Sequence, residues 1–277
     1  MDETLDLTEQ PSRYDHLERM TTRQLLSAIH AEDEQVSHAV AQALPALERL
    51  IDTVAGRLQA GGRLFYIGAG TSGRLGVLDA SELPPTFGVE PGRVVALIAG
   101  GDGALRTAIE RAEDDEAGAW RDLQPYRPTA ADTLVGIAAS GRTPYVRGGL
   151  RCARRAGLTT GCIVCNPAGP VTAEADYVVV APTGPEFITG STRMKAGTAT
   201  KLLLNMLSTC VMIRLGRVEG NEMTHLQLNN AKLWRRAERI VLQRRPGLSA
   251  AEAHALLERY GTVSEALAHL PQAPDEA

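Results

Sequence analysis

The chain has 277 residues, 44% of them hydrophobic, which suffices for one large domain with a buried core. Its 29 lysines and arginines against 33 acidic residues give a formal net charge of -4, which argues against a nucleic-acid partner. The polar, acidic N-terminus and the lack of an apolar run near the ~20 residues that cross a bilayer argue against a membrane partner, so we expect a cytoplasmic protein.

Helical spacing dominates segment 1–60. Thr21 and Gln24 form the pattern of a capping box at a helix start, after which Val36 and Val40 recur on one face. Pro45 interrupts the pattern and suits the first turn of a new helix. We therefore predict two or three helices in this segment, packed on the core.

Five short apolar runs follow, separated by segments of helical length. They are RLFYI (63–67), VVALI (94–98), TLVGI (133–137), TGCIV (160–164) and DYVVV (176–180). Runs of this kind, apolar on both faces, are typical of a parallel sheet covered by helices on both sides. The sequence predicts an α/β fold over 61–218, with a doubly wound five-stranded parallel sheet.

The pattern turns helical again beyond Gly190. One long helical stretch covers 191–216, and a second covers 226–243. The segment 248–267 predicts a small helical hairpin, because Gly261 stands where a helix would end. We therefore predict a short C-terminal helical region over 219–277.

A glycine-rich loop, GAGTSGR (68–74), directly follows the first apolar run. Glycines let backbone N–H groups approach an anion, and a helix N-terminus adds partial positive charge. Dinucleotide-binding loops look similar, but the second run ends in ALIAGGDGA (96–104), without an acidic residue at its tip to hold a ribose, and no P-loop lysine follows. Gly70, Thr71 and Ser72 are therefore predicted to bind a phosphate.

A second loop of similar composition, ASGRTP (139–144), follows the third run. In an open α/β sheet, ligands collect where the carboxyl ends of neighbouring strands meet, so both loops can serve one phosphate. The predicted donors here are Ser140, Gly141, Arg142 and Thr143. Two ordinary strand-to-helix turns, rich in glycine and serine, are the alternative.

The four cysteines are too few and too unevenly spread for a disulfide framework, so we expect free thiols. Cys162 and Cys165 have the spacing of a redox or zinc pair. They lie inside a strand-like run without a second pair or spaced histidines, which favours two small buried residues. Neither a metal nor a cofactor is predicted.

Long segments of the chain resemble the N-acetylmuramic acid 6-phosphate etherases, a family of the sugar isomerase (SIS) domain superfamily. They are TEQPSRYDHLERMTT (8–22), GAGTSGRLGVLDASELPPTFG (68–88), IAGGDGALRTAIERAEDD (98–115), GIAASGRTPYV (136–146) and TGSTRMKAGTATKLLLNMLST (189–209). The resemblance implies an SIS-type αβα sandwich that cleaves the ether at carbon 3 of the phosphosugar. The implied products are D-lactate and N-acetylglucosamine 6-phosphate, in amino-sugar catabolism and cell-wall recycling.

The reaction needs a base that takes the proton from carbon 2 and an acid that protonates the departing lactate. By resemblance, the catalytic pair is Glu82 and Glu113, with Glu113 as the base and Glu82 as the acid. Each has an ordinary alternative. Glu113 lies in an acidic run, 110–116, that suits a solvated helix face, and Glu82 precedes a potential turn at Pro84.

A helix running from Gly73 would carry Glu82 ~13 Å from the phosphate loop, which exceeds the reach of one hexose. Two alternatives follow. The chain folds back after a short helix, or the partner subunit supplies one group. SIS proteins that this chain resembles are commonly homodimers, so a shared active site is one expectation.

The segment 189–200 carries further candidates. Ser191 and Thr192 suit both the cap of the long helix and contacts with the sugar, and Arg193 or Lys195 suits the carboxylate of lactate. The alternative for both cations is an ion pair with nearby acids.

Two departures from the family pattern lie near the C-terminus. Glu222-Met-Thr-His225 replaces the usual GNLMVD sequence and Asn229 is also unusual, while the helical tail is shorter than is typical. Two rival functions remain open. A phosphosugar-sensing regulator like the glucokinase regulatory protein would need a second SIS copy, and a phosphosugar isomerase would release no lactate.

Overall fold

The structure is a computed structural model that describes residues 7–270. The chain divides into two compact units, residues 1–80 with 92–211 and residues 81–91 with 212–277. Most residues of the predicted segments 1–60 and 61–218 thus belong to the first unit. The second unit begins close to the predicted boundary at 219, and it also takes an internal segment, 81–91, from the middle of the chain.

The N-terminal part of the first unit is one helix, α1 (Thr22–Gln59), 38 residues long. Its predicted capping box is confirmed, since the Thr21 side chain accepts from the backbone N–H of Gln24 and the Gln24 side chain accepts from that of Thr21. The predicted break at Pro45 is wrong. A proline inside a helix costs ~3 kcal/mol. Burial of the apolar face on both sides of it offsets that cost, at ~1.5–3 kcal/mol for each large aliphatic side chain. The buried face includes Val36, Val40, Leu47, Leu50, Val54 and Leu58.

All five predicted strands are present, in one parallel sheet of order β2-β1-β3-β4-β5. They are β1 (Leu64–Gly68), β2 (Val94–Ile98), β3 (Thr133–Ile137), β4 (Thr159–Val164) and β5 (Tyr177–Val180). The other helices of this part of the chain are α2 (Gly70–Phe87), α3 (Gly118–Leu123), α4 (Pro144–Arg155) and α5 (Lys195–Arg214). The predicted α/β fold is confirmed.

Glycines let helices pack closely on this sheet. A Cβ on Gly136 of β3 would lie 2.6 Å from Val146 Cγ1 of α4, and one on Gly161 of β4 would lie 2.9 Å from Leu50 Cδ1 of α1. Thr53 of α1 also donates a hydrogen bond from its hydroxyl to the Tyr177 hydroxyl, at 2.9 Å. The long N-terminal helix therefore covers part of the sheet.

The strand order reverses between β1 and β3. From β1 the chain crosses to β2 on one side, and β3 then pairs with β1 on the other, with Gly68 opposite Ile137 at their carboxyl ends. This is the topological switch point, where open α/β sheets bind ligands. Both predicted phosphate loops begin there.

The second unit contains the predicted C-terminal helices around a small apolar core. Its elements are a hairpin of β6 (Val218–Glu219) and β7 (Glu222–Met223), then α6 (Ala231–Arg244), α7 (Ala250–Tyr260) and α8 (Val263–Ala268). The predicted helical hairpin is confirmed, because Gly261 ends α7 at a φ of 79°. His225 is half-buried, and burial, with a contribution from Arg217, lowers its pKa.

Helix α5 is long and apolar enough, by length and composition alone, to cross a membrane. The sequence argument against an apolar run of this length missed it. The helix nevertheless packs in the protein interior, since Leu203, Leu204, Leu207 and Val211 are all buried. A largely buried helix of this kind is typical of a protein core.

The four cysteines are free thiols, as predicted. Cys162 lies in β4 and Cys165 follows it, and both are buried. Burial raises the pKa of each thiol to about 12. Both therefore stay protonated near neutral pH, which disfavours the redox alternative because the thiolate is the reactive form.

Candidate active site

The first loop turns tightly from β1 into α2. Gly70 begins the helix at a φ of 51°, a conformation that favours glycine. A Cβ on Gly68 would lie 2.8 Å from the backbone N of Gly73, and a Cβ on Gly73 would lie 2.8 Å from the Gly68 carbonyl oxygen. Glycine is thus required at both positions, because the two backbone segments lie too close together for a side chain. Thr71 and Ser72 are half-buried in the first turn of α2.

The second loop is equally tight. Gly141 has a φ of 69°, and a Cβ there would lie 2.8 Å from Gly169 Cα. Ser140 Oγ accepts a hydrogen bond of 3.2 Å from the backbone N–H of Arg142, which leaves the hydroxyl proton available to a ligand. Thr143 precedes α4 without capping it through its side chain. Its hydroxyl therefore makes no hydrogen bond to the N-terminus of α4.

The structure brings these two loops together. They follow adjacent strands, β1 and β3, and each leads into the N-terminus of a helix, α2 and α4. Backbone N–H groups and the partial positive charge of two helices lie at the same edge of the sheet. The arrangement suits a phosphate group, and phosphate binding at these two loops stays a prediction.

The start of α5 adjoins the first loop. A Cβ on Gly197, in the first turn of α5, would lie 3.4 Å from Thr71 Cγ2 and 3.4 Å from the Thr192 carbonyl oxygen. Thr192 and its neighbour Ser191 thus lie just before α5, in a segment close to the first loop. This places a third group of hydroxyl side chains near the carboxyl edge of the sheet.

The cap of α5 differs from the prediction. Ser191 and Thr192 do not cap the helix, which begins at Lys195. Instead the buried carboxylate of Glu186 accepts hydrogen bonds of 2.9 Å from the backbone N–H groups of both Lys195 and Ala196. Burial raises the pKa of Glu186, although these two bonds favour its charged form. Sequence reasoning missed Glu186 because it lies nine residues before the helix.

Lys195 occupies a buried ion pair. Its side chain is 2% exposed and its Nζ pairs with Glu32 of α1, whose other carboxylate oxygen lies 3.9 Å from Arg13 NH1. The interpretation of Lys195 as a ligand for the lactate carboxylate is therefore not supported. Of the two predicted cations, Arg193 is the exposed one. No local pattern pointed to Glu32, which pairs across 163 positions of sequence.

Glu113 lies in a short 3₁₀ turn, Ala112–Asp114, and is exposed. The alternative of a solvated α-helical face is wrong, because residues 110–116 form no α-helix. Glu113 lines a cavity of about 250 Å³ together with Gly70 of the first loop. Arg74, which also lines it, donates hydrogen bonds to the backbone carbonyls of Ala104 and Leu105. The predicted base and the phosphate loop thus share one pocket.

Glu82 lies on α2, which runs without interruption from Gly70 to Phe87 and includes Pro84 and Pro85. The chain therefore does not fold back after a short helix, and no turn begins at Pro84. Glu82 is exposed and belongs to the second unit, whereas Glu113 belongs to the first. Completion of the site by a partner subunit stays a prediction.

Among the described residues, no group of three or more His, Cys, Asp or Glu side chains is arranged to hold a metal ion. The charged side chains that line the pocket are those of Arg74, Glu110, Arg111 and Glu113.

Comparison with curated proteins identifies close relatives. The chain is 58% identical over 236 residues to an N-acetylmuramic acid 6-phosphate etherase of Christiangramia forsetii, covering 85% of this chain and 86% of the relative. A second, from Porphyromonas gingivalis, is 53% identical, with 97% of both chains covered. A third, from Yersinia pestis, is 55% identical over 87% of this chain and 81% of its own length. Relatives of this chain's length and longer ones therefore both occur.

Two further comparisons concern the fold. Residues 46–154 match the family model described as the glucokinase regulatory protein N-terminal SIS domain. Among solved structures, a phosphoheptose isomerase from Francisella tularensis aligns with a TM-score of 0.58 at 18% identity, over 70% of this chain and all of the other. A putative phosphosugar isomerase from Bacteroides fragilis aligns with a TM-score of 0.51 at 20% identity, covering 71% and 98%. At such identities the likeness establishes the SIS fold alone.

Proposed function

Since the chain belongs to the N-acetylmuramic acid 6-phosphate etherase family, we propose that it cleaves the lactyl ether at carbon 3 of N-acetylmuramic acid 6-phosphate. The products are N-acetylglucosamine 6-phosphate and D-lactate. The enzyme is a carbon-oxygen lyase in amino-sugar catabolism and cell-wall recycling.

The reaction begins with ring opening, which places an aldehyde beside carbon 2 and makes the hydrogen there acidic. Glu113 takes that proton. The electron pair forms the double bond between carbons 2 and 3 while the carbon-oxygen bond to lactate breaks, and Glu82 protonates the departing oxygen. Water then adds at carbon 3 of the unsaturated intermediate, and carbon 2 regains a proton. Two carboxylates with opposite protonation states supply these steps.

The observation that carries this assignment is the shared pocket of Glu113 and Gly70. In this proposal a hexose 6-phosphate binds its phosphate at the two loops and places its sugar carbons in that pocket. The backbone amides of α2 and α4, with Thr71, Ser72, Ser140 and Thr143, supply the donors for the phosphate. Positioning of this kind turns a weak base into an effective one.

The rest of the site is assigned from exposure and position. Ser191 and Thr192 bind the sugar, because their segment adjoins Thr71 through Gly197. Arg193 binds the carboxylate of lactate, because the Lys195 ammonium already forms an ion pair with Glu32. A bidentate guanidinium contact suits a carboxylate.

The protein acts in the cytoplasm as a homodimer whose subunits share the active site. The continuous α2 supports a shared site, because the helix begins at the first loop and does not fold back before it reaches Glu82. Two-fold dimers are the commonest closed assembly among soluble homo-oligomers.

Incubation of the protein with N-acetylmuramic acid 6-phosphate, followed by a lactate assay, tests the proposal. We expect stoichiometric release of D-lactate and N-acetylglucosamine 6-phosphate. A product that is an isomer of the substrate, formed without lactate, would instead identify a phosphosugar isomerase.

A further inference from the structure

A second cavity, of about 610 Å³, lies along helix α4. Charged side chains line it: Glu116, Glu174, Arg147, Arg151, Arg154 and Arg155. The four arginines lie on one side of the helix, because residues at i, i+4, i+7 and i+8 share a face. None of them belongs to the phosphosugar site assigned above.

Within residues 7–270, two of these arginines have acidic partners. Arg151 Nε lies 3.2 Å from Glu174 Oε1, and its NH1 lies 3.6 Å from Glu116 Oε2. Arg154 Nε lies 3.0 Å from Asp176 Oδ1.

Within residues 7–270, no carboxylate pairs with Arg147 or Arg155. The cavity therefore concentrates positive charge in a chain whose formal net charge is -4.

One of the two unpaired arginines also carries an unsatisfied donor. The Nε of Arg147 is buried and has no hydrogen-bond partner. Leaving such a group unpaired costs ~1–3 kcal/mol, and a native protein usually satisfies it with water or a ligand. Arginine N–H groups match the oxygens of a phosphate bidentately, so a phosphate suits the guanidinium groups of Arg147 and Arg155, which no carboxylate among residues 7–270 neutralises.

The arginines are spread along the helix. At ~1.5 Å per residue, Arg147 and Arg155 begin ~12 Å apart, a length that an extended chain of several phosphates covers better than a single phosphate. Each phosphate monoester group carries about -1.5 to -2 charges at neutral pH, which complements the excess of arginines over carboxylates in the lining of the cavity. We propose that the α4 cavity is a second anion site, which binds a small molecule bearing two or more phosphate groups.

Calorimetric titration with inorganic tripolyphosphate tests the proposal. The protein is first saturated with N-acetylglucosamine 6-phosphate, which occupies the two phosphosugar loops. We expect one further equivalent of tripolyphosphate to bind, with a Kd that rises as salt is added. The Arg147→Gln/Arg155→Gln variant should raise that Kd by at least about ten-fold, because it removes two charge-assisted contacts.

The control variant is Arg235→Gln/Arg239→Gln, which removes the same charge from two exposed positions of α6. It should bind tripolyphosphate like the wild type. Ser72→Ala/Ser140→Ala should also keep this binding, which separates the α4 cavity from the phosphosugar loops whatever the enzyme's substrate. The proposal is overturned if the wild type binds no tripolyphosphate, or if the α6 control weakens binding as much as the α4 variant does.

Discussion

At the scale of single residues, the two glutamates have different surroundings and different predicted tasks. Glu113 shares a pocket with the phosphate loop, while Glu82 lies on α2 in the second unit. Removal of the carbon 2 proton and expulsion of lactate are separate steps, so the two residues are separable by experiment.

Isotope exchange distinguishes them. Glu82→Gln should release almost no lactate yet still exchange the carbon 2 hydrogen for deuterium from solvent, because its base is intact. Glu113→Gln should lose both exchange and release, since without proton abstraction no electron pair is available to expel lactate. Mass spectrometry of the recovered substrate measures exchange, and circular dichroism checks folding. The opposite pattern would reverse the two roles.

The hydroxyl groups of the loops should determine the preference for a phosphorylated substrate. Ser72→Ala and Ser140→Ala each remove one donor to a charged group, so kcat/KM for the 6-phosphate should fall by roughly 10- to 100-fold. Unphosphorylated N-acetylmuramic acid should be a very poor substrate of the wild type, and these changes should affect it little. Ser37→Ala, which removes an exposed hydroxyl on α1, is the control. Equal losses for both substrates would contradict phosphate binding at these loops.

At the scale of elements, hydrogen bonds and a ring contact join the N-terminal segment around Ser12 to the segment 187–189, which precedes α5. Ser12 donates a hydrogen bond of 2.7 Å from its hydroxyl to the Phe187 carbonyl, and its backbone N–H donates one of 2.9 Å to Thr189 Oγ1. The rings of Tyr14 and Phe187 lie 5.0 Å apart. These contacts order the backbone that leads to the proposed sugar ligands.

Loss of the Ser12 hydroxyl should therefore weaken substrate binding more than it slows the chemical step. We expect Ser12→Ala to raise KM roughly 3- to 10-fold while kcat changes less than about two-fold, as loss of one hydrogen bond allows. Hydrogen exchange of the amides in 188–194 should rise in the same variant. Ser37→Ala should change neither quantity. An unchanged KM would show that the contact matters only for folding.

The buried pair of Glu32 and Lys195 links α1 to the start of α5 and should matter for stability. Glu32→Gln leaves a buried ammonium without its anion, which should lower the free energy of unfolding by about 3–5 kcal/mol. The double change Glu32→Leu/Lys195→Met removes both charges and should recover most of that loss. Urea unfolding measures both variants. If Glu32→Gln lowers the free energy of unfolding no more than the double change does, the Lys195 ammonium has found another partner.

At the scale of the whole molecule, the proposed homodimer with a shared active site makes a prediction about mixed subunits. In a two-fold dimer, each shared site takes Glu113 from one subunit and Glu82 from the other. Two inactive variants then complement each other.

Mixing Glu82→Gln and Glu113→Gln subunits after mild dissociation provides the measurement. Half of the dimers become mixed and one of their two sites is intact, so lactate release should recover to about a quarter of the wild-type rate. Each variant carried alone through the same treatment is the control. No recovery, with mixed dimers verified by native mass spectrometry, would place both glutamates of a site in one subunit.

Local pattern by itself determined the five strands, the two glycine loops, the Thr21 capping box and the end of α7 at Gly261. Each depends on residues within a few positions of one another, where apolar period, backbone freedom and hydroxyl position act directly. Packing decided the rest. Pro45 lies within a continuous helix because distant strands bury the apolar face around it, and Lys195 meets Glu32 across 163 positions. Contacts between residues so far apart in sequence leave no local signal, so only the tertiary structure assigned Lys195 to an ion pair and Glu186 to the cap of α5.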